Sequence, residues 1–472
     1  MFIRNSQRNI LLFFTSIIMY NPAIFKAYDI RGLVEGDLSA ELAYKLGQAF
    51  VEFLRNQDKI KSGVKLVVGQ DMRATSPIFA EAVMRGITDG GVDVVDAGLV
   101  TTPLFNFACA HYPDNIGGIM VTASHNPAPY NGFKLTLNNG LPVGKFTGMN
   151  DLRDMVLTQE FPVLDKKGTV SSYNYLTDYT DRVMSVSGAV DFSNLKTVID
   201  AGNGMAKITI PETVRRINLQ AEYLYLEPDG TFPNHEANPL KTETLKDLGE
   251  KALATKADFG FALDGDADRV GLVDELGRPV PASALGAIIG LEVLAKHPKA
   301  LMLYDLRSSR AVKELWEEQG ATTAMTPVGH ALIKKQMKDT GAVYTSELSL
   351  HLYYQDMYDL ESPELSLIYF CQALKRFGGT VSELVATVTR YIHSGEMNFE
   401  VEDKAEVFKR LREKYKDAQI TELDGIAFTY PNYWFNVRES NTEPVIRLNL
   451  EVTGVGEDLD VRVEEVKKVI VG

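Results

Sequence analysis

Short β-branched runs alternate along the chain with longer stretches whose apolar residues recur every three or four positions. Residues 64–69 (VKLVVG) predict a buried strand. Residues 76–90 predict a helix with Ser76 as N-cap, Pro77 at its first position and a glycine stop. Residues 92–95 predict the next strand, 98–103 a loop leading into a further helix, and 116–122 a third strand that delivers the chain to Ser124. Strand–helix–strand order of this kind implies βαβ units on a mixed sheet. The same grammar restarts at 196–200, which runs into the glycine-rich 201–204. It restarts again at 300–305, followed by a helix from Ser308 and a strand over 321–326.

After about residue 394 the pattern changes to strands of alternating polarity over 425–430, 433–438 and 445–452, flanked by helical periodicity at 404–415 and 458–469. The expected fold class is α/β: three similar mixed-sheet domains plus a smaller C-terminal α+β domain. The expected limits are 21–171, 172–277, 278–392 and 393–472. Residues 1–20 read as an N-terminal extension: Arg4 and Arg8 precede an apolar run over 10–20, like the start of a signal segment. That run lacks a small-x-small cleavage site and is short for a membrane span, so Met19 is the favoured beginning.

Composition narrows the classes. The chain has 472 residues, 45% hydrophobic and 24% charged, which is ordinary for a globular protein of several domains. A formal net charge of −14 argues against nucleic acid or an anionic membrane as the main partner. The two cysteines, Cys109 and Cys371, form neither a metal-binding pair nor a disulfide framework, so a cytoplasmic location is expected.

Three segments carry chemistry. In Asp264-Gly265-Asp266-Ala267-Asp268-Arg269, carboxylates at every second position lie between two strand-like runs, 259–263 and 270–273. They can converge on a hard divalent cation such as Mg²⁺. An EF-hand loop is disfavoured because Arg269 stands where its glycine is needed and the flanks are strands rather than helices. Ser124-His125-Asn126-Pro127 exposes a hydroxyl at the end of a buried strand, where α/β proteins place ligands; a plain turn fits the same residues. It is not the G-x-S-x-G elbow of a hydrolase. Arg438-Glu439-Ser440-Asn441-Thr442, with Arg447 following, offers hydroxyls, an amide and two guanidiniums suited to phosphate oxygens; a polar hairpin turn is the rival.

Together these segments resemble the α-D-phosphohexomutase family, in its bacterial-type phosphomannomutase/phosphoglucomutase branch. The residues that carry the resemblance are FKAYDIRG (25–32), TASHNPAPYNGFK (122–134), DAGNGMA (200–206), GTFPNHEANPLKTETLKDL (230–248), LDGDADR (263–269), VGHALIKKQMKDTGA (328–342) and RESNTEPVIR (438–447). The resemblance implies four domains around a central cleft, bearing in order the phosphoserine, the metal, the sugar and the distal phosphate. It implies that hexose 1-phosphate and hexose 6-phosphate are interconverted through a phosphoserine and a hexose 1,6-bisphosphate, which also serves as activator, with Mg²⁺ as cofactor. It further implies phosphorylation at Ser124 and metal ligation by Asp264, Asp266 and Asp268 with the Ser124 phosphate. Arg31, Lys134, Arg269 and His330 would surround the transferring group, and Tyr28, Arg307, Glu347, Ser349, Arg438, Ser440, Asn441, Thr442 and Arg447 would bind substrate. Phosphoglucosamine mutase, a phosphoserine phosphatase and a non-catalytic sugar-phosphate binder are the alternatives. One departure stands out: the family's sugar loop, Gly-Glu-x-Ser-Gly-His, reads Ser346-Glu347-Leu348-Ser349-Leu350-His351 here. Two glycines are lost.

Overall fold

The structure, a computed structural model, describes residues 20–188, 191–439 and 445–472. The N-terminal extension up to Met19, and the segment holding Ser440, Asn441 and Thr442, lie outside the described residues.

Four sheets follow one another along the described residues. The first has six strands in the order Ile30–Leu33, Tyr130–Leu137, Asn115–Val121, Lys65–Gln70, Asp93–Leu99, Val170–Ser172; the last four are parallel and the first two run antiparallel. The helix Ser76–Asp89 crosses between two of its parallel strands. Thr75, one residue earlier than expected, precedes this helix, and Ser76 is not the cap: its hydroxyl donates to Asp71 at 2.6 Å.

The second sheet places Phe259–Leu263 between the parallel Lys196–Asp200 and the antiparallel Val270–Val273, so the aspartate triplet is the tip of a hairpin. The third sheet is also mixed, built on Leu301–Asp305 with Thr322–Thr326 and Tyr344–Ser346 parallel beside it. The fourth is wholly antiparallel, with Ile392–Glu400 at one edge beside Val445–Val452 and then Tyr433–Glu439.

Cores follow this division unevenly. One apolar cluster runs continuously from Phe105 and Phe107 through Tyr179 and Phe259 to Trp316 and Phe370, so the three mixed-sheet domains share buried surface. The antiparallel domain has its own core around Phe428, Phe435 and Leu448. It meets the third domain through polar contacts: the Arg310 amide donates to Glu451 at 3.0 Å, the Val328 amide to Asp424 at 3.3 Å, and Arg307 to Glu396 at 3.3 Å. Among the described residues no helix is long and apolar enough to cross a membrane.

Candidate active site

Strand Asn115–Val121 is buried along its whole length and releases the chain into the Ser124 loop. Ser124 itself is buried and takes φ +51°, a left-handed backbone that costs a non-glycine residue about 1 kcal/mol. Two features hold it there. Its amide donates to Thr122 Oγ1 at 2.9 Å. The buried Arg73 gathers the loop's carbonyls, donating to those of Ser124 (2.9 Å), Asn126 (2.5 Å), Pro127 (3.0 Å) and Tyr130 (2.9 Å). Asp71 orients the same guanidinium, and Phe232 of the second domain covers it with its ring at 5.2 Å.

So fixed, the Ser124 hydroxyl donates to Asp264 Oδ2 at 3.1 Å and stands 3.2 Å from His125 Nδ1. The approach requires Gly265, because a Cβ there would lie 2.5 Å from the Ser124 carbonyl.

Asp264, Asp266 and Asp268 are all buried, with one carboxylate oxygen from each within 4.8 Å of the others. Asp264 Oδ1 takes the amides of Asp268 and Arg269, which closes the hairpin tip. Lys134 donates at 2.6 Å to both Asp266 Oδ2 and Asp268 Oδ2, and Thr102 donates to the same Asp266 oxygen. Arg269 Nε lies 4.0 Å from Asp264 and His351 borders Asp268, yet three buried carboxylates at this spacing still repel one another. Burial, then the charges of Asp268 and Asp266, accordingly push the Asp264 carboxyl well above the ordinary carboxylate range. The other oxygen of Asp266 is buried and finds no hydrogen-bond partner among the described residues. An unsatisfied carboxylate oxygen beside two further carboxylates fits a hard divalent cation.

Arg31 donates to Asp29 at 2.8 Å and to Asn126 of the serine loop at 2.7 Å. Tyr28 packs edge-on against His330, and its hydroxyl donates to the Val328 carbonyl at 3.1 Å. That packing needs Gly329, at φ +122°, since a Cβ there would lie 2.3 Å from the Tyr28 hydroxyl. Burial, then Lys334 and Lys134, drive the His330 imidazole far below its usual range and keep it neutral. His125 is kept neutral in the same way, by burial and then Arg269 and Arg31.

The third domain contributes a connected set. Arg307 is clamped by Asp305 and reaches Glu347 at 3.4 Å. Glu347 lies 3.2 Å from His351 Nδ1 and accepts from the Tyr353 hydroxyl at 2.9 Å. His351 Nε2 lies 3.2 Å from Asp268 Oδ1, and Arg269 Nε approaches the same nitrogen at 3.3 Å. Burial opposes a charge on His351, but Asp268 and Glu347 outweigh it and raise the imidazole to about 9. Ser349 Oγ stands 2.9 Å from His351 Nδ1.

Both lost glycines are accounted for. Leu350 takes φ +70° and is buried, so a side chain is tolerated in a left-handed position. Ser346 fits because Gly286 faces it: a Cβ at Gly286 would lie 2.6 Å from that of Ser346.

Arg438 and Arg447 are direct cross-strand partners in the fourth domain, and both donate to Glu396, at 3.0 and 3.2 Å. The structure thus brings Ser124, Lys134, Arg269 and the three aspartates together, and joins Arg307, Arg438 and Arg447 on one carboxylate. Sequence reading missed Arg73, Thr102 and Glu396. Arg73 had a faint signal, an Asp-x-Arg directly after a buried strand.

Three mixed-sheet domains and an antiparallel fourth, with loops converging on one polar site, define the class as a multidomain α/β protein of phosphohexomutase architecture. Domain models of the phosphoglucomutase/phosphomannomutase family match in series: alpha/beta/alpha domain I over 22–161, II over 174–277, III over 282–391 and the C-terminal domain over 396–468. The chain belongs to this family. It is 36% identical to a phosphomannomutase of Escherichia coli over 94% of this chain and 98% of that one. It is 34% identical to a phosphomannomutase/phosphoglucomutase of Pseudomonas syringae, over 91% of each. A solved phosphoglucomutase/phosphomannomutase family protein from Burkholderia thailandensis superposes with a TM-score of 0.85 at 30% identity, over 95% of this chain and 96% of that one.

Proposed function

We propose that this protein interconverts hexose 1-phosphates and hexose 6-phosphates, with mannose, glucose or both as the sugar, by passing a phosphoryl group between substrate and Ser124. The observation that carries this reading is the meeting of the Ser124 hydroxyl with Asp264 at the edge of a buried carboxylate triplet. A phosphatase would need that much; the separate arginine pair on the fourth domain favours a mutase, which must hold a second phosphate while the first moves.

Asp264, Asp266 and Asp268, with an oxygen on Ser124, would hold Mg²⁺. When bound, the ion offsets charge on the phosphoryl oxygens as they pass between acceptor and donor. Lys134, Arg31 and Arg269 add fixed positive charge around the same point, so catalysis is mainly positioning and electrostatics. His125, neutral and 3.2 Å from the Ser124 oxygen, is placed to take or return a proton at Nδ1. Phosphorylated Ser124 donates to one sugar hydroxyl, breaking its own O–P bond and forming a hexose 1,6-bisphosphate. That intermediate reverses in the site and returns its other phosphate. Glu347 and Ser349 serve the sugar hydroxyls, and Arg438 and Arg447 grip the idle phosphate, with Ser440, Asn441 and Thr442 as its further binding residues. Two buried free thiols, Cys109 and Cys371, support a reducing, cytoplasmic setting.

The test is incubation with mannose 1-phosphate or glucose 1-phosphate and Mg²⁺, measuring hexose 6-phosphate against inorganic phosphate. Hexose 6-phosphate should dominate; inorganic phosphate as the main product overturns the reading. Comparing kcat/KM for the two sugars then ranks them.

A further inference from the structure

Glu396 is aimed by a defect in its own strand. Ile392 and His393 pair with Val452 and Glu451, and that register continued would set Glu396 opposite Leu448 in the apolar core. One extra residue between His393 and Glu396, with Gly395 at φ +72°, sets it opposite Asn449 instead. Bulges re-aim side chains in this way beside functional sites. The carboxylate then lies on the polar face that carries Asn449, Arg447 and Arg438 and looks toward the third domain.

Three guanidiniums converge on it. Arg438 Nη2 donates at 3.0 Å, Arg447 Nη1 at 3.2 Å and Arg307 Nη1 at 3.3 Å, with Asn449 Nδ2 at 3.4 Å. Arg307 comes from the third domain, and His393 of the same edge strand binds the Arg307 carbonyl at 3.0 Å. Glu396 uses one terminal nitrogen of each arginine, and Arg438 Nε, buried and without a hydrogen-bond partner among the described residues, remains for another anion. Burial would raise the Glu396 carboxyl, yet Arg307, Arg438 and Arg447 hold it at about 2. It is a permanent charge.

We propose that Glu396 is a positioning residue for the grip on the idle phosphate. It holds Arg307, Arg438 and Arg447 converged across the junction of the third and fourth domains, so that the phosphate meets guanidiniums already in place. The inference rests on the mutase reading for its substrate, but not for its test. Without Glu396, Arg438 and Arg447 lose the carboxylate they share and repel each other, Arg307 stays with Asp305 and Glu347 but loses its tie to the fourth domain, and the ordering cost falls on the ligand. The carboxylate also competes for the same donors; preorganisation outweighs competition because each arginine gives it a single contact.

The probe is inorganic phosphate, titrated by calorimetry into the metal-free full chain, with Arg447→Ala as the control that locates binding on the arginine cluster. Glu396→Gln should weaken phosphate about tenfold. With glucose 1-phosphate it should raise KM about tenfold while kcat stays within about threefold. Glu396→Asp keeps the charge but withdraws it from Arg307, and should weaken phosphate about threefold; it gives the same reading should the Gln variant not fold. Unchanged or tighter phosphate binding in either folded variant overturns the proposal, as does a loss confined to kcat. A wild type that binds phosphate through Arg447 but forms no hexose 6-phosphate defeats the mutase reading alone, and the phosphate titrations still decide the role of Glu396.

Discussion

Ser124 and Asp264 lie 140 positions apart in sequence and meet at 3.1 Å, a hydroxyl from the first domain donating to a carboxylate from the second. The contact joins the group that would carry the phosphoryl to the group that would hold the metal. Ser124→Ala should fold normally and lower kcat by about 10⁴-fold or more, since no other nucleophile occupies the point. An interconversion assay reads this directly, and residual activity within tenfold of wild type would remove Ser124 from the reaction.

The unpartnered oxygen of Asp266 leads to a metal experiment. Millimolar Mg²⁺ should raise the melting temperature of the wild type, by RT ln(1 + [Mg²⁺]/Kd) in free energy, and chelation should abolish turnover reversibly. Asp266→Asn should lose the thermal response. A variant that responds as strongly as wild type would show that the ion binds elsewhere.

Arg73 makes its contribution through the backbone of the serine loop. Lysine cannot reproduce a fork that serves four carbonyls and Asp71. Arg73→Lys should cost about 3 kcal/mol of stability, from roughly two or three charged hydrogen bonds lost, and should lower kcat with little change in KM. Denaturant unfolding paired with kinetics checks both; a stable variant with normal kcat would make the clamp superfluous.

Leu350 sets strain against burial. Leu350→Gly would relieve about 1–2 kcal/mol of left-handed strain. It would also remove a buried side chain, worth about 2–5 kcal/mol in leucine truncations, and add unfolded-state entropy. Burial wins, so the variant should melt below wild type. A higher melting temperature would show that the lost glycine is an uncompensated defect.

Glu396 gives a pH dependence of definite sign. Its carboxyl is lowered from 4.5 to about 2 in the fold. The stability it contributes is therefore present above pH 4.5 and lost as pH falls toward 2. The stability gap between wild type and Glu396→Gln should be on the order of 3 kcal/mol at neutral pH and close progressively over that window. A gap that stays constant from pH 6 to pH 3 would contradict the assignment.

Much of this was legible in the sequence, because the elements obey local rules. Period-two and period-three-to-four patterns mark the strands and helices, and the aspartate triplet advertises itself through its alternation. Motifs in series supplied the family. What stayed hidden depends on contacts between distant segments. Arg73 reads as a lone surface cation until four carbonyls close around it. Glu396 reads as one more charge on an edge strand, since its partner Arg307 lies 89 positions away and the bulge that aims it leaves no local signature beyond Gly395. The cost of losing two glycines could not be judged from the loop alone: the space for Ser346 is made by Gly286, on the helix Ala282–Lys296.

From Arg438 and Arg447 the contacts run through Glu396, Arg307, Glu347, His351 and Asp268 to Lys134, alternating in sign and touching all four domains. In such a chain each member is the counterion of the next, so a lone charge change strands its neighbours, whereas a matched pair of changes restores the alternation. Substitutions at these positions are therefore coupled in their energetic effect: what is acceptable at one link depends on the charge that stands at the next.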